Sequence, residues 1–135
     1  MIGAGPYGLS VGAHLKAKGI SAWVFGEPME FWANKMPEGM LLRSPRGASN
    51  LSDPDGAFTL EAYEVASKTA PSAPVPVDTF VEYGRWFGHQ LGSDLDERTV
   101  LRLDREEPRF RLMLGAEGAF RELPLDRVCL LKRSS

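Results

Sequence analysis

The sequence predicts an α/β fold: a helix-flanked parallel sheet followed by an antiparallel β-hairpin and meander. Three observations predict it. A glycine-rich turn, Gly3 to Gly8, leads straight into a helical pattern. A short apolar run from Ile20 to Phe25 follows that helix as a buried strand would. After Asp96 the hydrophobic period changes to two, the period of a strand with one wet face.

The first helix is expected over Pro6 to Lys18. Gly8, Val11, Gly12 and Leu15 recur at helical spacing and so share one face. Each glycine there lowers helix propensity by about 1 kcal/mol relative to alanine, a cost explained if the helix lies very close to a sheet. Gly19 is placed to stop it. Residues 28–77 are rich in Pro, Gly, Ser and Asn and carry little periodicity, apart from a short helix expected over Thr59 to Ser67. Asp53 to Gly56 reads as a turn.

The next helix is expected to start near Thr79, which has the capping-box spacing to Glu82. Phe80, Gly84, Phe87 and Leu91 share its apolar face, Glu82, Arg85 and His89 lie opposite, and Gly92 closes it. Leu101 and Leu103 then alternate with Arg102 and Asp104, and Phe110, Leu112 and Leu114 with Arg111 and Met113. Glu106 to Pro108 connects these two strands. Gly115 to Gly118 makes another turn, Phe120 to Leu125 a third strand, and Val128 to Leu131 a strand buried on both faces.

Composition narrows the function. The chain has 135 residues, 43% of them hydrophobic, and a formal charge of −2. That supports a packed core and argues against a nucleic-acid binder, which would show a basic stripe. No apolar stretch approaches the roughly 20 residues that span a bilayer, and no leader pattern opens the chain, so no membrane partner is expected. A single cysteine, Cys129, forms no intrachain disulfide and suits a reducing cytoplasm. It is expected to be a small core residue. Two histidines and one cysteine, far apart, give no metal-ligand spacing. His14 is expected to be solvated, His89 to pair on the helix surface, and Trp86 and Phe87 to be core aromatics. The oligomeric state is not legible.

The chemistry sits in Gly3-Ala4-Gly5-Pro6-Tyr7-Gly8, a G-x-G-x-x-G pattern. The first glycine permits a tight turn out of a strand, the second lets a pyrophosphate approach bare backbone, and the third lets helix and strand pack. The helix N-terminus adds unpaired N–H groups and partial positive charge. Pro6 suits a first turn, whose N–H has no intrahelical partner. The context of turn, small-faced helix and buried strand favours a Rossmann-like dinucleotide site over a purely structural turn. Two features depart from it. The preceding strand is only Met1-Ile2, where about five residues are usual, so the first strand is expected to be truncated. Gly26 stands where the ribose-holding acid belongs, and Glu27 follows. Glu27 is read either as a ribose ligand or as a solvated loop charge.

The run Ile2 to Ser10 resembles the FAD fingerprint of flavin-containing monooxygenases, including the lysine and ornithine N-hydroxylases. Phe25 to Met29, Phe31-Trp32, Met36 to Ser44 and Tyr83 to Phe87 resemble a further branch of FAD/NAD(P)-binding oxidoreductases. The resemblance spans residues 1 to about 105. It implies that FAD binds at the N-terminal glycine turn and that NADPH, in the full-length relative, binds a second such turn. The reduced flavin then reacts with oxygen and oxygenates a substrate. The cofactor-binding set it implies is Gly3, Gly5, Pro6, Tyr7, Gly8, Glu27, Trp32, Leu42, Arg43 and Ser44, with no catalytic side chain and no metal ligand. Arg43 has an equal alternative in pairing with Asp53 or Asp55.

No second glycine motif is present, and Lys132 to Ser135 replace the turn expected after the last strand. The expectation is therefore a partial FAD-binding domain over 1–135, inactive alone. It comprises a βαβ unit over 1–27, a cofactor-proximal segment over 28–77 and a helix with a β-meander over 78–135, with the NAD(P)H domain absent. The alternatives are a domain that takes NAD(P) directly and a non-catalytic remnant or interaction fragment.

Overall fold

The computed structural model describes residues 1–115, 119–123 and 128–130. In chain order the elements are α1 (Pro6–Ala17), β1 (Val24–Phe25), α2 (Glu30–Lys35), α3 (Leu60–Ser67), α4 (Val77–His89), β2 (Leu95–Asp96), β3 (Val100–Glu106), β4 (Arg109–Leu114) and β5 (Ala119–Leu123). The fold is α/β, with the helices packed beside two small sheets. β1 pairs in parallel with β2. Ile2 adds parallel bridges to Phe25 on one side and Leu130 on the other. Pairing runs in the order Leu130, Ile2, β1, β2, although each contribution is only one or two residues long.

Helix α1 has Pro6 in its first turn and ends at Gly19, whose φ of 69° is the left-handed conformation a helix stop needs. Its packing face differs from the expected one. Gly8, Leu9, Gly12 and Ala13 are buried, while Val11 is 40% exposed. The cause is close approach: a Cβ on Gly12 would lie 2.8 Å from Val24 Cγ2 and 3.2 Å from Leu91 Cδ1. The helix turns its smallest surface to β1 and α4, and the large Leu9 side chain enters the core.

Helix α4 starts at Val77, two residues before the expected Thr79, and Pro76 caps it without a side-chain bond. The expected capping box is therefore not used. Backbone pairing sets this end: Leu42 N–H donates to Val75 O and Val77 N–H to Met40 O, both at 2.8 Å. Thr79 is left inside the helix. The apolar face is as expected, with Phe80, Gly84, Phe87 and Leu91 all buried. Its glycines are notches: Met29 fills the one at Gly84, and Leu95 and Pro28 approach Gly88.

Helix α3 lies where the short helix was expected, and Thr59 caps it, its Oγ1 accepting from Ala62 N–H at 3.0 Å. The Pro- and Gly-rich segment around it is ordered by polar anchors. Tyr83, fully buried, accepts from Leu51 N–H at 3.0 Å and donates to Phe58 O at 2.7 Å. Asp53 closes its turn by accepting from the N–H groups of Ala57 and Phe58. Arg46 holds the carboxylate of Glu64, only 3% exposed, and donates to Ser72 O at 2.9 Å. Trp86 and Phe87 join the aromatic core around Tyr83.

Strands β3, β4 and β5 form an antiparallel meander. Its inner face carries Leu112 and Leu114, which form a small core with Phe25, flanked by Ile2, Trp23, Val100 and Leu103. Leu101 was expected to share the inner face of Leu103 but is 50% exposed. A register shift between Val100 and Arg102 absorbs it as a bulge, which flips the alternation and turns Val100 inward. The expected doubly buried strand over Val128 to Leu131 differs too. Ile2 N–H bonds Cys129 O at 2.9 Å, but the Cys129 side chain is exposed and Leu130 is 55% exposed. Cys129 is therefore not a core residue, since the segment lies outermost in the parallel pairing. Leu131, Lys132 to Ser135, Ala116 to Gly118 and Pro124 to Arg127 lie outside the described residues.

Candidate functional site

The parallel strands end together. Ile2 runs into Gly3 and Phe25 into Gly26, with Gly3 N–H bonding Phe25 O and Gly26 N–H bonding Asp96 O, both at 2.9 Å. The crevice beyond the carboxyl ends of parallel strands is where ligands bind in open α/β sheets. Here it is a cleft of about 530 Å³. One wall is the glycine turn with the first turn of α1, a second is Glu27 with α2, and a third is Thr99 and Val100 at the head of the meander.

The glycine turn suits a phosphate group. Gly5 is the N-cap of α1, with φ −78° and ψ −173°, and supplies no side-chain cap. The first turn carries no acidic residue. Among the described residues no side chain caps its N–H groups, and the positive end of the helix stands at the cleft. A Cβ on Gly5 would meet nothing within 4 Å. Because the backbone there is one any residue adopts, what glycine keeps at this position is open space beside the turn.

Gly26 explains the missing acid. Its φ is 130°, and a Cβ there would lie 3.4 Å from Ala4 N. The crossing of β1 past the glycine turn favours glycine at this point, and the nearest carboxylate in the chain is Glu27, one residue later. Glu27 is exposed on the cleft rim. The loop is then pinned by Met29, fully buried with φ 63°, whose N–H bonds Ala4 O at 3.0 Å.

Seven of the sequence-derived residues therefore line one cleft: Gly3, Gly5, Pro6, Tyr7, Gly8, Glu27 and Trp32. Trp32 is held edge-on to Phe80, with ring centroids 5.0 Å apart. Tyr7 is 82% exposed. The other three lie elsewhere. Leu42 is buried and its N–H bonds Val75 O. Ser44 Oγ contacts Ser49 Oγ at 3.1 Å. Arg43 is exposed and forms no ion pair with Asp53 or Asp55 among the described residues. The cation that does organise this segment is Arg46, which sequence reading missed. Its guanidinium is held further above its ordinary range by the Glu64 hydrogen bond, against a smaller opposing effect of burial.

Phe31, Thr99 and Val100 were also missed. Phe31 carried a signal in its neighbour Trp32. Thr99 and Val100 carried none, because their place depends on a bulge and on packing against β1. His14 Nε2 lies 2.8 Å from Ser52 Oγ. Among the described residues no cluster of metal-ligating side chains forms, and no helix is long and apolar enough to cross a membrane.

Fold and cleft together define an α/β domain with a glycine turn and an open cleft at the ends of its parallel strands. No family model matches the chain, and no curated protein matches it. Solved structures share its fold. One is a lysine monooxygenase from Nocardia farcinica whose NADPH domain takes an unprecedented conformation. It matches with a TM-score of 0.68 and 18% identity over 93% of this chain and 41% of that one. Another is a flavin-containing monooxygenase from Stenotrophomonas maltophilia, with a TM-score of 0.67 and 21% identity over 88% of this chain and 33% of that one. The chain thus spans well under half the length of either structure.

Proposed function

We propose that this chain is the FAD-binding portion of a flavin-dependent oxidoreductase, with NADPH-dependent monooxygenation as the activity of the whole protein. The carrying observation is the open space at Gly5, at the start of α1, which has no side-chain cap, and at the mouth of the cleft beyond the parallel strands. The shared fold with two monooxygenases supports it.

Each residue then has a task. Gly3, Gly5 and Gly8 leave backbone bare for the diphosphate, and the N–H groups of Tyr7 and Gly8 donate to it. Pro6 fixes the entry of the helix without competing as a donor. Glu27 accepts from the ribose hydroxyls. Trp32 and Phe31 supply an apolar wall that keeps water from the bound group. Leu42, Arg43 and Ser44 lie outside this cleft, so a role for them near the flavin requires the remainder of the protein. When bound, FAD supplies hydride acceptance and reaction with oxygen; the chain's part is to position and shield it.

The test is a thermal melt of the purified protein with FAD, with NADPH, and with an unrelated nucleotide such as GTP. FAD at about a hundredfold excess over its Kd stabilises by about 2.7 kcal/mol, which is several degrees in Tm. Equal shifts with FAD and GTP defeat the proposal, and a larger shift with NADPH replaces it with direct nicotinamide-nucleotide binding.

A further inference from the structure

Phe31, Trp32 and Tyr7 all line the cleft, and the fold holds their rings unequally. Phe31 and Trp32 stand on α2, and Trp32 is fixed edge-on against the buried Phe80 of α4, with ring centroids 5.0 Å apart. Tyr7 stands on another wall, in the first turn of α1. It is 82% exposed, while the aromatic side chains of residues 23–110 are all buried or half-buried. Among the described residues the Tyr7 side chain makes no hydrogen bond or ring contact.

A ring so exposed adds little to the packing of α1, which buries Gly8, Leu9, Gly12 and Ala13 instead. Its place suits a ligand better, two residues after Gly5 and its open space. Beyond backbone groups and the acids Glu27 and Glu30, the cleft offers mostly apolar and aromatic surface. An aromatic face takes a planar ring by offset stacking. Tyrosine does so at low entropic cost, since only two torsions are ordered. Of the two rings of FAD, adenine carries nitrogens around its whole rim, whereas one end of the isoalloxazine carries only methyl groups. That end can enter between aromatic walls without leaving a buried polar atom unpaired.

Resting on the FAD reading of this cleft, we infer that the Tyr7 side chain is the unheld half of an aromatic clamp on the isoalloxazine, with Trp32 as the fixed half. Tyr7 then serves the ligand twice, its N–H at the diphosphate and its ring at the flavin. Its side chain is a specificity-determining group, because it rewards a nucleotide that carries the flavin over one that carries adenine alone. Trp32 is positioned by the core through Phe80, whereas Tyr7 gains a partner only when the ligand arrives.

Calorimetric titration of the whole chain with FAD and with ADP tests this on two variants. Tyr7→Phe keeps the ring, and Tyr7→Leu keeps an apolar side chain of good helix propensity without one. Tyr7→Phe binds FAD within about twofold of the parent, and Tyr7→Leu binds it about tenfold more weakly, the size of one stacking contact. ADP, which shares the diphosphate and adenine but lacks the flavin, binds all three proteins alike. Tyr7 is exposed, so both variants are expected to fold, and circular dichroism checks it. Unchanged FAD affinity in folded Tyr7→Leu, an equal loss of FAD and ADP, or a Tyr7→Phe as weak as Tyr7→Leu overturns the clamp while leaving FAD binding standing. If the parent chain binds no FAD, the proposed function fails and the clamp goes with it.

Discussion

In the helical core Gly12, Gly84 and Gly88 are notches already filled, whereas at the cleft mouth Gly5 borders space that none of the described residues fills. Gly12 receives Val24 and Leu91, and Gly84 receives Met29. Gly5 has no neighbour within 4 Å of where its Cβ would stand. The same residue type thus serves two physical ends. In the core it shortens the distance between elements and increases contact among apolar atoms. At the cleft it keeps backbone amides accessible, a benefit realised only when something binds.

Substitutions can break or sharpen this contrast. The largest effect is expected at the hub of the filled region. Tyr83→Phe leaves Leu51 N–H and Phe58 O without their partner, which costs about 3 kcal/mol and is read by urea denaturation. The same residue sets a pH dependence. Burial, the leading cause, pushes the Tyr83 phenol up to about 12, with Asp53 adding to the rise and the Leu51 N–H bond opposing it. The unfolded chain loses this proton near its ordinary value of 10. Stability is therefore full below pH 10 and falls as the pH rises toward 12, because only the unfolded state gives up the proton in that window. Tyr83→Phe should lack this component of the alkaline decline; an identical slope in the variant would assign it to other groups.

Next comes Gly84→Ala. The added methyl must displace Met29, which is fully buried, and the overpacking outweighs the gain in helix propensity by about 2 kcal/mol. A variant as stable as the parent would mean that the Met29 side chain repacks freely. The smallest stability effect belongs to Gly5→Ala, within about 0.5 kcal/mol, since loss of the glycine cap offsets the reduced freedom of the unfolded chain. Its FAD affinity should nevertheless fall at least tenfold. A folded Gly5→Ala protein that binds FAD as before would remove the functional half of the contrast.

Much of this was legible in local pattern. The glycine turn, α1, the short helix α3, the apolar face of α4 and the β3–β4 alternation all depend on residues within a few positions of each other. Errors came where a distant partner decided. Val77 starts α4 because Met40 pairs with it. Leu101 faces water because the meander takes a bulge. Leu95 and Asp96 became the parallel partner of β1 although two residues carry no periodicity. Of the candidate site, the turn and Glu27 were visible as a motif and its offset acid. The Thr99 wall was not, since nothing in the chain order joins it to Gly3 or Glu27.

By itself, the sequence determined which short segments are helical or extended and that a bare-backbone turn opens α1. These follow from propensity, capping and period, which act over a turn or two of chain. Tertiary structure alone decided which face of α1 is buried and that Glu27 and Thr99 line the same cleft. Such choices depend on the fit of side chains far apart in sequence, Gly12 against Val24 and Leu91 or Gly84 against Met29. That fit has no value until the elements meet.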